Sequence, residues 1–138
     1  MAYSISTASA NSVLNSLLAN FANGVIEVRN GVRPADSDTA ATGVVLATIP
    51  LGATPFNVAA LRSAALAAPV SDLQGDANGS ATWFRMYDNA VLANAINILD
   101  GDVGIVGSGA DMEFNDNLGG TTITTADKVT VDTMTVTV

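Results

Sequence analysis

The segment Ala81–Tyr87 carries bulky side chains on both of its faces, and this restricts the possible folds more than any other feature of the chain. Side chains alternate along an extended strand. Phe84 and Met86 therefore point one way, and Trp83, Arg85 and Tyr87 point the other. Such a strand needs cover on both sides. Sheet-on-sheet packing supplies one cover, and a helix or a partner supplies the other. Trp83, Arg85 and Tyr87 admit three readings. They are core residues with Arg85 snorkelling at the rim, an interface anchor built from hot-spot residue types, or an aromatic platform for a sugar.

The strand is one of several. Val25 to Arg29 reads as a strand closed by the turn pair Asn30-Gly31, and Val44 to Leu51 as a second. Between them, Pro34, Asp36, Ser37 and Asp38 favour a loop. Phe56 to Leu61 is a candidate third strand, Ala64 to Val70 has no clear type, and Asp72 to Ser80 is a loop. Ala90 to Leu99 reads as a strand paired back on Ala81–Tyr87 through an Asp88-Asn89 turn. Val103 to Val106 and Met112 to Asn115 are short strands, and Asn115 to Gly120 is a turn cluster. In the final strand, Lys128 to Val138, the apolar phase changes at Asp132-Thr133. A β-bulge there returns Val129, Val131, Met134, Val136 and Val138 to one core.

Before the first charged residue, Glu27, the residues Val13, Leu14, Leu17, Leu18 and Phe21 form the stripe of an amphipathic helix over about 9–23. Ser9 or Thr7 is its expected cap, and Gly24 its expected left-handed stop. The other face carries Asn11, Asn15, Ser16, Ala19 and Asn20 and no charge. Asn15 and Asn20 are therefore candidate contacts to a neighbouring subunit, beside the plainer reading of an ordinary surface helix. The expected fold is mainly β, a jelly-roll-like antiparallel β-sandwich with one N-terminal α-helix, in a single domain over 1–138.

With 138 residues, the chain can bury a sizeable core without staples. It has no cysteine and no histidine, which excludes disulfides, thiolate or imidazole metal sites and histidine-based catalysis. Thirteen acidic residues against five basic ones give a net charge of -8. Phosphate binding needs clustered cations, so no direct nucleic-acid partner is expected. No apolar run reaches the ~18 residues of a membrane span, and 1–10 lacks the charged and apolar regions of a secretory signal.

Asp100, Asp102, Asp111, Glu113 and Asp116 lie close together in sequence near glycines. Asp100-Gly101-Asp102 is like the start of a calcium loop, but no glutamate closes the pattern. Turn-capping is the expected role, with no metal, no cofactor and no catalytic residue. Gly104 to Gly109 superficially resembles a phosphate loop without its lysine or its helix.

The ordered pieces resemble a family of small virion proteins of tailed bacteriophages. They are Gly31-Val32-Arg33-Pro34-Ala35, Gly43-Val44-Val45-Leu46-Ala47, Trp83-Phe84-Arg85, Asp100-Gly101-Asp102-Val103-Gly104, Ser108 to Asn115 and the Thr/Val tail from Val129. The departures lie in Ala53 to Val70 and Asn89 to Asn97. The resemblance implies a virion structural role. The leading expectation is a capsid decoration (cement) protein, made in the host cytoplasm, that sits on the outer shell, bridges major capsid protein subunits and forms a dimer or trimer. A neck or tail component is the alternative, and a carbohydrate-binding adhesion module a more distant one.

Overall fold

In the computed structural model, which describes residues 3–115 and 118–138, the helix α1 spans Thr7–Ala19. Its cap is Ser6 rather than Ser9 or Thr7. The Ser6 Oγ accepts from the Ser9 amide at 3.1 Å and satisfies one orphan donor of the first turn. The left-handed stop is Asn23, at φ 58°, not Gly24. Gly24 is required for a different reason, since a Cβ there would lie 2.2 Å from the Tyr87 carbonyl oxygen. Ala10, Leu14, Leu18 and Phe21 are buried. Val13 leaves the predicted stripe and is 57% exposed, because the core subtends a narrower arc of the helix than the apolar residues do.

Among the described residues the strands are β1 (Val25–Arg29), β2 (Val45–Pro50), β3 (Ser63–Ala65), β4 (Val70–Asp72), β5 (Gly79–Ser80), β6 (Trp83–Tyr87), β7 (Ile98–Ile105), β8 (Met112–Phe114), β9 (Thr122–Ile123) and β10 (Val129–Thr137). Eight of them form one sheet in the order β2-β1-β6-β7-β8-β10-β3, with β4 also paired to β10. β5 and β9 form a separate pair. The sheet curls until β4 comes up against β2. There the Thr48 amide donates to Asp72 Oδ2 at 2.9 Å and the Thr48 hydroxyl to Asp76 Oδ2 at 2.6 Å. The Asp76 amide donates to the Leu46 carbonyl. Side chains thus complete an edge that would otherwise be open for pairing.

The fold is mainly β and sandwich-like with one helix, as the strand pattern implies. Phe84 and Met86 are fully buried, with Ile26, Val28, Leu46, Ile49, Met112, Phe114, Val129, Val131, Met134 and the helix residues Leu14, Leu18 and Phe21 in one core. The bulge in the last strand is present, with the β10/β8 register shifting between Val131 and Thr133. It brings Val129, Val131 and Met134 into the core and Val136 against it, while Val138 stays exposed.

Three elements differ from the sequence reading. First, the pairing partner of β6 begins at Ile98, so 90–97 is a loop with one 3₁₀ turn at Leu92–Asn94. The Asp88 carboxylate gathers this loop by accepting from the Ile96 and Asn97 amides, each at 2.9 Å. β7 instead runs through Asp100–Gly104 and absorbs the expected strand at Val103. Second, Phe56 to Leu61 makes only isolated bridges, Phe56 to Leu66 and Ala60 to Ser63. Third, β7 and β8 pair in parallel although only 106–111 connects them. Parallel neighbours usually need a crossover of a dozen or more residues. Here Gly107 and Gly109, at φ 82° and 80°, turn the chain sharply, and their amides both donate to the Glu113 carboxylate. The apparent phosphate loop is a backbone nest filled by the protein's own carboxylate. Of the expected turn at Asn115 to Gly120, residues 116 and 117 lie outside the described residues. Among the described residues no helix is long and apolar enough to cross a membrane.

Candidate functional site

Directly paired residues of antiparallel strands share a face. The registers Glu27 with Arg85 and Asp100, and Arg29 with Trp83 and Asp102, therefore collect charge around the aromatic residues of β6. The cover on this face is neither a second sheet nor the helix. It is the loop 30–44, which lies over the strands through main-chain acceptors. Arg85 Nη1 donates to the Thr39 carbonyl at 2.8 Å, and Trp83 Nε1 to the Asn30 carbonyl at 3.0 Å. Arg29 Nη1 donates to the carbonyls of Thr42 and Gly43, and the Thr82 hydroxyl to that of Gly31.

Arg85 is 3% exposed, so it does not snorkel at a rim. Its Nε and Nη2 each meet one oxygen of Asp100 at 2.7 Å, a two-pronged match of guanidinium to carboxylate. The hydrogen bonds that Arg85 donates to Asp100 raise its pKa, outweighing burial. Arg29 pairs with Glu27 at 2.5 Å. Both guanidiniums lie over the Trp83 ring, at 5.9 and 5.6 Å from its centroid, within the range of a cation–π contact. Burial, with the charge of Glu27 behind it, pushes the Tyr87 phenol up and keeps it neutral.

Trp83, Arg85 and Tyr87 are all buried, the first two bonded to the chain's own loop. A partner arriving here would touch loop 30–44 rather than these three side chains, and a sugar would find no open ring. The donors of the cluster are spent on the main-chain carbonyls of the loop and on the Glu27 and Asp100 carboxylates. The cluster fixes the loop. The sequence reading missed Asp100 as the group that makes a buried Arg85 tolerable, and Glu27 as the partner of Arg29. The signal was the sign alternation of charges on three strands that pair only in the folded chain.

The Asn face of α1 is also engaged. Asn15 Oδ1 accepts from the Ala59 amide at 2.8 Å, and Asn11 Oδ1 from the Arg62 amide at 2.9 Å. Asn20 Nδ2 reaches back to the carbonyls of Ser16 and Leu17 and ends the helix. The missing charge on this face thus has a local cause, because amide side chains hold the 58–62 segment. That segment turns tightly. Ala60 and Ser63 exchange two main-chain hydrogen bonds around Leu61 and Arg62, at φ 50° and 67°. Both values call for Asn or Gly in such a turn, and a non-glycine residue held there costs about 1–3 kcal/mol.

Of the carboxylates of the acidic segment, Asp111 and Glu113 serve the turn before β8, while Asp100 and Asp102 lie in β7 and pair with Arg85 and Arg33. Asp111 accepts from the Asp102 amide, Glu113 fills the glycine nest, and Asp100 binds Arg85. Asp116 lies outside the described residues, and among those described no acidic group of three is placed to hold a metal. Asp36, Asp88 and Glu113 have pKa values below the ordinary carboxylate range. Asp36 is lowered by the hydroxyl and amide of Thr39. Glu113 is lowered by the amides of Gly107 and Gly109. For Asp88, burial pushes upward, but the bonds from Asn97 and Ile96 together prevail. A depressed folded pKa gives stability that is complete above the unfolded carboxylate pKa and is lost as pH falls through the folded value. Protection against hydrogen exchange at the amides of Thr39, Asn97 and Gly109 should therefore fall on acidification below the carboxylate range, before the core amides of β6 lose theirs. Simultaneous loss would mean that these loops do not open separately from the core.

Exposed apolar side chains form the remaining surface feature. Val58 and Leu61 project from the turn beside α1, and Val91, Leu92 and Ile96 from the loop after β6. A groove of about 460 Å³ runs between α1 and 53–58, lined by Leu18, Ala19, Ala22, Pro55, Phe56 and Val58. No protein-family model, curated protein or solved structure matches this chain.

Proposed function

We propose that the chain is a structural protein of a tailed-phage virion, and in the first place a capsid decoration protein that bridges major capsid protein subunits on the outer shell. The observation that carries this reading is how the polar and apolar groups are divided. The polar groups that a cleft would present are spent on partners within the chain: Arg85 on Asp100, Arg29 on Glu27, and Glu113 on its own nest. Large apolar side chains such as Val58, Leu61 and Ile96 are left at loop tips. Scattered apolar residues are ordinary, but clusters at protruding turns suit contact with other proteins.

The mechanism is added buried area across the joints between capsomers. A stable contact buries roughly 1,200–2,000 Å², and repetition over a shell multiplies modest contacts through effective concentration. The acidic surface turns away packaged DNA and favours an outward position. The ordered resemblance along the chain supports the same role. A virion reconstruction tests it. Density for this fold spread over the shell supports decoration, and density confined to the single portal or tail axis supports the neck or tail reading. Absence of the chain from purified virions would overturn both.

A further inference from the structure

We propose that the face built by α1 and the 53–62 segment is a self-association surface, and that its occupant is the same face of a second copy. The inference deepens the virion reading and rests on it only for the purpose the pair would serve.

Charge singles out this face. None of the thirteen carboxylates falls in 1–26 or 51–71, and Arg62 is the only charged side chain in those segments. Elsewhere, Arg29 and Arg85 are buried in ion pairs, so carboxylates dominate the remaining surface. Two copies meeting through any acidic face would bring like charges together. Through this face no carboxylates meet, and each Arg62 guanidinium is tied back to the Ile5 carbonyl of its own copy. An unrelated partner chosen to bind a chain of net charge -8 would instead carry basic groups toward the carboxylates.

The shape supports the same occupant. Leu61 and Val58 are 85% and 82% exposed, and Val58 also lines the apolar groove. A projection and a depression lie side by side, as a two-fold pairing of identical patches requires. In that pairing the Leu61 tip of each copy enters the other's groove. Neighbouring apolar surface extends the contact. Ile5 is held there by Arg62, whose Nη2 donates to the Ile5 carbonyl, and Val138 is held by its amide bond to the Arg62 carbonyl at 3.0 Å.

The turn itself is a second, independent observation. A leucine held with its backbone in the left-handed region is rare in any turn. Here it sits at the tip with its side chain in water, where Asn or Gly would relieve the backbone and lose no internal contact. The Asn11 side chain and the Val138 amide hold the turn in place at the main chain of Arg62. Strain kept at an exposed apolar tip points to a use for that side chain outside its own chain.

Sedimentation velocity of the full chain, from low micromolar to near-millimolar concentration, tests the proposal. The wild type should show a concentration-dependent dimer. Leu61→Asn combined with Arg62→Gly supplies the residues this turn type prefers, keeps both main-chain bonds and removes the tip. It should be monomeric with its fold retained by circular dichroism, the relief of the turn offsetting the lost bond from Arg62 to the Ile5 carbonyl. Val58→Glu places a carboxylate at the groove and should also be monomeric, with its fold retained by circular dichroism. A wild type that is monomeric throughout overturns self-pairing, as does a dimer that survives either change. A monomer that still decorates particles, and loses that ability with these substitutions, would assign the face to a different partner and leave the virion reading standing.

Discussion

Asp100→Ala should destabilise the protein by about 3–5 kcal/mol, because it leaves the Arg85 guanidinium buried without its counter-charge. The pair is nearly inaccessible, with side-chain exposures of 3% and 7%, so water cannot take over the role of the carboxylate without opening loop 30–44. A domain of this size has roughly 5–15 kcal/mol in total, and the single change removes a large share of it. The double variant Arg85→Met with Asp100→Leu should be much less damaging, even near neutral, since it withdraws both charges and fills the volume with apolar atoms. It also leaves the Thr39 carbonyl without the Arg85 donor, so some loosening of the loop should remain. Urea unfolding of the wild type, Asp100→Ala and the double variant gives the comparison. If Asp100→Ala cost less than about 1 kcal/mol, the pair would be behaving as an exposed one, and the loop would not be sealing it.

The parts of this architecture that were legible in the sequence are those written in local periodicity. The alternation of Trp83 to Tyr87 located a strand covered on both sides, and the phase change at Asp132-Thr133 located a bulge that the β10/β8 register contains. The apolar stripe from Leu14 to Phe21 located the helix, although Val13 belongs to the stripe in sequence and not in space. What stayed hidden depends on partners distant along the chain. The cover over Trp83 is a loop with few apolar residues, and it holds by its carbonyl groups, which carry no residue-specific signal. The strand reading of Ala90 to Leu99 gave no hint that Asp88 would gather 96 and 97 into a loop and delay the strand to Ile98. The parallel step from β7 to β8 depends on Glu113 returning to a glycine turn. The same geometry explains why a glycine-rich segment that looks like a phosphate cradle is already occupied. For the candidate contacts, residue type was a fair guide to importance and a poor one to exposure. Trp83 and Arg85 make internal bonds and are buried, whereas Asn15 holds the Ala59 amide from an exposed position.

Phe84→Ala should cost about 3–5 kcal/mol through lost transfer energy and the cavity left behind, and the site offers a direct check on that origin. Phe84 is fully buried on β6 and pairs directly with Gly101 of β7. A Cβ at Gly101 would lie 2.5 Å from Cε1 and 2.6 Å from Cζ of the ring, so the aromatic side chain rests on the bare backbone of the opposite strand. Gly101→Ala alone should therefore destabilise by about 1–3 kcal/mol through overpacking. The added methyl group of Gly101→Ala occupies part of the volume vacated by Phe84→Ala, so in the double variant each change relieves the other. The double variant should be more stable than the sum of the single losses implies, by about 0.5–3 kcal/mol. Chemical unfolding of the wild type, the two single variants and the double variant measures the coupling. Strict additivity would mean that the ring and the glycine do not share this space, and that the packing between β6 and β7 rests on other contacts.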